Sequence, residues 1–258
     1  MDGNIGRPRS FHVRRSIAFC VVSVLAFCLT PTTPHAAPAA SNIFCRPEMA
    51  PARREELAAK LREITGWRRL HFDGEGALRL GDAPAAGGSS TARELLRAAA
   101  SGRNLLVLED ASNRADVVFC RVAAGRWKRD AGKKPPAHIV LIDFADFSHV
   151  LGDRDALAAF NVGWAVLHEI SHVVHDSPDA ERAGEVGECE GLINRMRREC
   201  DLAERAEYFF TFFPGAGTTE FSTRYVRLAF EQAEPAANKK RRLWLMWDAA
   251  LVGGLNRN

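Results

Sequence analysis

The sequence predicts an α+β domain in which a small mixed sheet packs on one buried helix. The run from Asp153 to His175 is apolar almost all round, which is typical of a helix enclosed by the rest of the fold. Three short runs, 104–110, 115–123 and 138–144, have the length and the Val, Leu and Ile content of strands. Each of these elements needs an apolar partner, so we expect them to share one core.

Two helices are expected to precede the strands. PARREELAAKLREIT, residues 51–65, has apolar residues on one face and is followed by Gly66. After a loop at 83–90, TARELLRAAASG predicts a second helix over 91–102, with Gly102 as its C-cap.

Four residues, Ala-Ser-Asn-Arg, separate the strand runs 104–110 and 115–123, so we expect these two strands to pair with each other. The run 138–144 follows a polar loop at 125–137 and is apolar enough for an internal strand. Near the end of the chain, STRYVRLAFEQ and RLWLMWDAALV predict either two strands or a strand followed by a helix.

Two more helix starts are expected beyond the buried helix. Ser-Pro-Asp at 177–179 supplies an N-cap serine, a proline at the first position and an acid in the first turn. Gly184 and Gly187 are expected to interrupt that helix, and the run from Glu188 to Glu199 predicts the next one.

The first 39 residues have the order of a secretory signal peptide. Two arginines precede the apolar run 17–29, and the small residues after it include the A-x-A cleavage pattern at 37–39. The apolar run is shorter than the about 20 residues of a comfortable membrane span. We therefore expect cleavage near Ala39, a periplasmic or secreted location and a single domain over 40–258. The alternative is an uncleaved membrane anchor.

The net charge does not indicate a nucleic-acid partner. The chain carries a formal charge of +3, and the expected signal holds four arginines and one aspartate, so the remainder is neutral. The basic run 239–242 is interpreted as a solvated turn rather than a phosphate-binding patch. No membrane partner is expected after cleavage.

Four cysteines would remain after cleavage, and an even number in an exported chain predicts two disulfides. These are Cys45, Cys120, Cys189 and Cys200. A straight helix would separate Cys189 from Cys200 by about 16 Å at about 1.5 Å per residue. Each of them would therefore pair with Cys45 or Cys120.

VLHEISHVVH, residues 166–175, places three histidines and a glutamate in an otherwise apolar helix. His168 and His172 project from one face, one turn apart, and can share a Zn²⁺ ion. Glu169 lies beside that position, where it can act as general base on a water, as in H-E-x-x-H metalloproteases. Burying these groups is costly without partners, so a zinc site is favoured over a hydrogen-bonded core pair. His175 lies about 10 Å along the helix from His168, so we expect it to line the cleft or to cap the helix end.

The third zinc ligand is expected downstream, because the residues after His172 do not match the third histidine of the longer H-E-x-x-H patterns. AGEVGECEG contains three glutamates, any one of which would complete a His₂Glu site. We predict Glu190 as the ligand, and the spacing leaves Glu188 and Glu185 open. The alternative for each glutamate is an exposed acid on a helix surface.

Beyond the histidines, an Asn-containing helix is followed by a leucine, an arginine and a tyrosine. With this pattern, residues 160–210 resemble the metallopeptidase family of bacterial type III secretion effectors and polymorphic toxins. The matching residues are His168, Glu169, His172, Asn194, Arg197, Glu199, Leu202, Arg205 and Tyr208. Ile193 stands where the family tends to have Glu, and Asp201 and Ala203 replace its turn Gly and Pro. The resemblance implies zinc peptidase chemistry and carries over no substrate.

Three further residues are candidates for the site. Tyr208 and Tyr225 are the only tyrosines, and either can donate a hydrogen bond to an oxyanion or pack in the core. Arg205 is a candidate for binding a substrate carboxylate or for a salt bridge.

Together these features predict an exported zinc-dependent metallopeptidase with a zincin-like fold, acting on a peptide or protein substrate. His168, His172 and Glu190 would bind Zn²⁺, and Glu169 would be the general base. The alternatives are a catalytically silent zinc-binding or envelope-interaction protein, and a secreted toxin-type protease with one specific target.

Overall fold

The computed structural model describes residues 41–81, 87–112, 114–123, 137–212, 225–234 and 238–253. The signal expected over 1–39 and nearly all of the loop expected at 125–137 lie outside these ranges. Among the described residues, no helix has the length and apolar character needed to cross a membrane.

Helices and strands are mixed along the described chain, as the α+β prediction requires. The helices are α1 Pro51–Thr65, α2 Ser90–Ser101, α3 Phe144–Ser148, α4 Arg154–Ala158, α5 Val162–His175 and α6 Glu188–Glu199. The strands are β1 Ile43–Cys45, β2 His71–Phe72, β3 Leu78–Arg79, β4 Leu105–Asp110, β5 Cys120–Ala123, β6 Ala137–Ile142, β7 Leu151–Gly152, β8 Glu204–Arg205, β9 Thr211–Phe212, β10 Tyr225–Glu234 and β11 Lys239–Asp248.

The first sheet is small and mixed, with the order β1-β4-β6-β5. Strands β1, β4 and β6 are parallel, and β5 runs antiparallel to β6 at the edge. The internal position predicted for β6 is confirmed, but the predicted pairing of β4 with β5 is wrong. The reason is that β1 and β6 occupy both edges of β4, so β5 pairs on the far side of β6.

The second sheet is built on a long antiparallel hairpin. All ten residues of β10 pair with β11, from Tyr225 with Asp248 to Glu234 with Lys239. Two strands are therefore present where a strand followed by a helix was the alternative. The basic run 239–242 begins β11 rather than forming a turn, and its charges pair with acidic side chains such as Glu231.

The expected long helix from Asp153 to His175 is divided into α4 and α5, so that prediction is wrong in its extent. A backbone carbonyl at the break accepts a hydrogen bond from a side chain instead of from a helical N–H. Arg197 Nε donates to Ala159 O at 2.9 Å. Asn161 then starts α5 by accepting a hydrogen bond from Gly163 N at 3.0 Å. Because of this break, α5 is a separate helix, and it lies in the core.

The helices predicted at 51–65, 91–102 and 188–199 are confirmed with small changes. Helix α1 is followed by Gly66 in the left-handed conformation, φ 71°, and α6 spans Glu188–Glu199 as expected. Ser89 caps α2 by accepting from Ala92 N at 2.9 Å. Gly102 follows α2 in an extended conformation, not as a left-handed C-cap.

Helix α5 is the centre of the main core. Its residues Val166, Leu167 and Ile170 have no exposed surface. It contacts α1, α2 and α6 as well as strands β5 and β6, which encloses it on most sides. An enclosed apolar helix is the setting in which polar side chains need specific partners.

The four described cysteines form no disulfide, contrary to the expected two bridges. Cys45 is buried in β1, and burial raises the pKa of its thiol to about 12. Cys200 lies at the end of α6, where its Sγ donates to Ile64 O at 3.5 Å. Cys189 lies at the other end of α6, beside the histidines of α5.

Candidate metal centre

Three side chains converge next to α5. The Nε2 atoms of His168 and His172 are 3.2 Å apart. Oδ1 of Asp179 lies 3.1 Å from His168 Nε2 and 3.4 Å from His172 Nε2. Cys189 joins this group, because ligand atoms of the four residues all lie within 4.8 Å of one another. Two imidazoles, a carboxylate and a thiol in this arrangement can hold a metal ion.

Asp179 reaches the centre from a loop, not from a helix. The helix start predicted at 177–179 is absent, because the chain folds back along α5 after His175. Ser171 and Ser177 tie the loop to the helix through their hydroxyls, which are 2.9 Å apart and buried. The predicted N-cap serine therefore anchors a return loop.

Gly187 fixes the loop against the start of α6. Asp179 and Gly187 form an isolated antiparallel bridge, and Cys189 N donates to Pro178 O at 3.1 Å. Gly187 has a φ of 80°, and a Cβ there would lie 2.4 Å from Ala180 N. Only glycine fits this close approach without strain, and the approach brings Asp179 and Cys189 to the same place.

The tautomer of His172 is fixed by its surroundings. Its Nδ1 lies 2.6 Å from the carbonyl oxygen of Ser177, which can only accept, so Nδ1 carries the proton and donates. Nε2 is then the nitrogen that faces the centre and would bind a metal ion. This is the usual arrangement of a metal-binding histidine.

Glu190, the predicted third ligand, lies on the opposite side of the His168 ring from Asp179. Its Oε2 is 3.1 Å from His168 Nδ1, whereas Asp179 faces Nε2. The Glu190 side chain is 1% exposed and forms ion pairs with Arg197 and Arg205. Both arginines and the histidine keep the pKa of this carboxyl well below its ordinary value, although burial opposes them.

The other two candidate glutamates, Glu185 and Glu188, are exposed. His175 is also exposed, at the last position of α5, and it is not part of the metal-ligating group. Tyr225 begins β10 with 43% of its surface exposed.

Tyr208 contacts the centre through Asp179. Its hydroxyl donates to Oδ2 of Asp179 at 2.8 Å, and its ring stacks on His168 with centroids 6.0 Å apart. Oδ1 of the same carboxylate is buried and has no hydrogen-bond partner among the described residues. A buried carboxylate oxygen aimed at two imidazoles is a position where a cation fits.

The electrostatics of the group favour bound positive charge. Burial raises the pKa of Asp179, but the adjacent imidazoles of His168 and His172 and the hydrogen bond from Tyr208 outweigh it, and the net pKa is lowered. The nearby Asp179 side chain, followed by that of Cys189, raises the pKa of His172 to about 10. Asp179 is therefore an anion, and protons on the imidazoles occupy the place that a metal cation would take.

Glu169 faces a cavity next to the centre. Its Oε2 accepts a hydrogen bond from Val122 N in β5 at 2.8 Å. Burial raises its pKa, against the opposing effect of His168 and His172. A carboxylate held in this way is a stronger base than one in water.

Sequence reasoning missed Asp179 and Cys189 as members of the group. Asp179 was assigned to the first turn of a helix, and Cys189 to a disulfide. The available signal was an acid seven residues after His172, following a proline that ends the helical pattern.

Comparisons of the chain with models of protein families, with curated proteins and with solved structures gave no significant match. Function is therefore inferred from the chemistry of the site.

Proposed function

We propose that the centre binds Zn²⁺ and that the chain is a zincin-like metallopeptidase, acting on peptide bonds. The observation that carries the proposal is the triangle formed by the two Nε2 atoms and Asp179 Oδ1, with sides of 3.2, 3.1 and 3.4 Å. Ligands at about 2.0–2.1 Å from a tetrahedral zinc ion are about 3.3–3.4 Å from one another. The side chains therefore have the spacing that the ion requires.

Asp179 replaces Glu190 as the third ligand in this proposal. Within the part of the chain that the structure describes, its Oδ1 is buried and has no hydrogen-bond partner, while Glu190 forms ion pairs with two arginines. Glu190 Oε2 lies 3.1 Å from His168 Nδ1, on the side of the ring away from the centre, which is the position of carboxylates behind metal-bound histidines. Tyr208 would position Asp179 through the hydrogen bond to Oδ2.

A bound zinc ion acts as a Lewis acid toward a carbonyl oxygen and lowers the pKa of water. Glu169 takes the proton from the attacking water and passes it to the leaving amine. Its raised pKa supports both transfers, and the hydrogen bond from Val122 N keeps the carboxylate facing the cavity.

The test combines metal analysis with cleavage of a broad peptide library. We expect about one zinc per chain, cleavage that a chelator abolishes, and a Glu169→Gln variant that keeps the metal but loses cleavage. Glu185→Gln changes an exposed glutamate near the same loop and serves as the matched control. Full activity of Glu169→Gln, or cleavage unaffected by chelation, would overturn the proposal.

One observation favours a second function. Cys189 supplies a fourth donor within the group, and the two histidines lower the pKa of its thiol against the effect of burial. A site with four protein ligands is closed and is typical of structural zinc. The chain would then be a catalytically silent zinc-binding protein.

Cys189→Ala separates the two functions. A peptidase keeps three protein ligands and an open position, so the variant should keep most of its zinc and its activity. A structural site loses a ligand, so zinc affinity and thermal stability should both fall sharply. Export to the periplasm or outside the cell is proposed on the sequence of residues 1–39 alone.

A further inference from the structure

A cavity of about 330 Å³ opens beside the metal centre, and both His168 and Glu169 contribute to its wall. Half of the remaining lining residues are aromatic, and they come from separate elements of the fold. The aromatic residues are Phe119, Phe160, Trp164, Tyr208, Phe209, Phe210 and Trp247. The volume lies within the range of about 300–1,000 Å³ that is common for small-ligand pockets.

The aromatic wall is packed in place. The Phe119 ring lies edge-to-face against Phe160 and Trp247, with centroids 5.0 and 5.2 Å away. Phe210 contacts Trp247 at 5.9 Å. These contacts join the β5 end, the α4–α5 connection and β11, so the cavity has a fixed shape rather than a collapsible one.

The charged residues in the wall are occupied by partners inside the protein. Arg197 pairs with Glu190 and lies between the faces of Trp164 and Phe230, 5.5 and 5.4 Å from their ring centroids. Arg205 donates to Glu190 and to the backbone carbonyl of Glu207 at 3.1 and 3.2 Å. Binding of a substrate carboxylate by either guanidinium would break a buried ion pair, which is costly.

The approach to the cavity is also apolar. Phe209 and Phe210 line it and are 38% and 50% exposed, and they are neighbours in the chain. Large aromatic side chains at the mouth of a pocket expose apolar surface that a ligand can cover.

We infer that this cavity binds one large apolar side chain of the substrate, so that cleavage occurs next to residues such as Phe, Leu or Met. The inference rests on the proposed peptidase function and adds a substrate class to it. The reacting carbonyl must lie near Glu169, and the cavity begins at that residue. A neighbouring substrate side chain therefore enters the aromatic wall, where apolar area is removed from water.

The test uses the zinc-loaded protein and a series of peptides that differ at one position, with Phe, Leu, Ala or Asp. We expect kcat/KM for Phe and Leu to exceed that for Ala by about tenfold or more, since each methylene in an apolar pocket gives about 10- to 200-fold. The Asp peptide should be the poorest. Equal cleavage of all four peptides would overturn the inference while leaving the peptidase proposal intact. Zinc-free protein or no cleavage of any peptide would instead overturn the peptidase proposal.

Ala165 allows the cavity to be filled from its wall. It lies one turn before Glu169 on α5 and lines the cavity. Ala165→Leu should lower the ratio of kcat/KM for the Phe peptide to kcat/KM for the Ala peptide by about tenfold or more. Ala98→Leu on the exposed side of α2 is the matched control and should leave this ratio unchanged.

A binding measurement makes the test independent of turnover. The zinc-loaded Glu169→Gln protein should bind the Phe peptide about tenfold or more tightly than the Ala peptide in calorimetry, and Ala165→Leu added to it should remove the difference. If Ala165→Leu does not fold, Phe210→Ala changes an exposed wall residue and should also weaken the preference. Unchanged preference in a folded Ala165→Leu or Phe210→Ala protein would contradict the inference.

Discussion

The hydroxyl of Tyr208 donates a 2.8 Å hydrogen bond to Oδ2 of Asp179, and the other oxygen of that carboxylate faces His168 and His172. The two oxygens therefore have different tasks. Oδ2 accepts a hydrogen bond from a neutral donor, and Oδ1 is available to bind a metal ion at the centre. This division explains how a loop residue is kept in place between two histidines of a rigid helix.

The first prediction concerns metal affinity. Asp179→Asn removes the anionic donor and should raise the zinc dissociation constant by more than about 100-fold, while Tyr208→Phe should raise it by about 10-fold, as outer-shell changes do. Competition with a chromophoric chelator measures both. Asp176→Asn is the matched control, because Asp176 is exposed and in the left-handed conformation that asparagine tolerates. Wild-type affinity in Asp179→Asn would rule out Asp179 as a ligand.

The second prediction separates Glu190 from the ligands. Glu190→Gln leaves the buried charges of Arg197 and Arg205 without their carboxylate, so it should lower the free energy of unfolding by about 3–5 kcal/mol. Chemical denaturation measures this change. Glu188 is exposed and lies two residues before Glu190 on α6, so the free energy of unfolding of Glu188→Gln should stay within about 0.5 kcal/mol of the wild type.

Zinc binding by Glu190→Gln and by Asp179→Asn tests whether Glu190 or Asp179 is the third ligand. If Glu190 only holds the His168 ring, folded Glu190→Gln should lose about 10- to 100-fold in affinity, less than Asp179→Asn. A larger loss from Glu190→Gln than from Asp179→Asn would restore Glu190 as the third ligand.

The longer helices, α1, α2, α5 and α6, and the longer strands, β4, β5, β6, β10 and β11, were predictable because their signals are local, whereas the short helices and strands were not predicted. The apolar face and Gly66 define α1, and the apolar run of β6 indicates an internal strand. The pairing of β4 with β6 was not predictable in this way. Strand partners depend on contacts far apart in the chain, and a short connection between β4 and β5 suggested a hairpin that the parallel strands exclude.

The residues of the candidate site were also predictable where their signals are local, and not where they depend on contacts far apart in the chain. His168, Glu169 and His172 share one helix, so their spacing in the sequence fixes their common face. Asp179 depends on a turn after that helix and on the bridge to Gly187, both of which are tertiary contacts. Asp179 was not considered as a ligand, because an acid after Ser-Pro has a simple local interpretation as a helix start.

The third prediction tests the close approach at Gly187. Gly187→Ala places a Cβ 2.4 Å from Ala180 N and should displace the loop that carries Asp179. Gly184→Ala is a matched control, because Gly184 has a similar φ of 85° and a Cβ there meets nothing within 4 Å. Both variants bear the strain of an alanine at positive φ, about 1–3 kcal/mol. Only Gly187→Ala should also weaken zinc binding, and equal zinc affinities in the two variants would contradict this account of the loop.

The fourth prediction concerns acid stability and lies away from the centre. Glu199, at the end of α6, accepts hydrogen bonds from the start of α2, including Thr91 Oγ1 at 2.6 Å, Ser89 Oγ at 2.7 Å and Thr91 N at 3.0 Å. Burial raises the pKa of its carboxyl, but these hydrogen bonds outweigh burial and lower it to about 2. The folded protein therefore favours the ionised form, which also suits the N-terminus of α2.

Because this pKa is lower in the folded state than its ordinary value of 4.5, the contribution of Glu199 to stability is complete above about pH 5. It decreases as the pH falls toward 2 and is absent below that value. We expect Glu199→Gln to lower the free energy of unfolding by about 2 kcal/mol at pH 7, and by much less at pH 2.5, in denaturation curves at both values. Glu94→Gln, an exposed change on α2, should leave the pH profile of the wild type unchanged. A Glu199→Gln effect that is equally large at pH 2.5 would mean that packing, rather than the charge, joins α6 to α2.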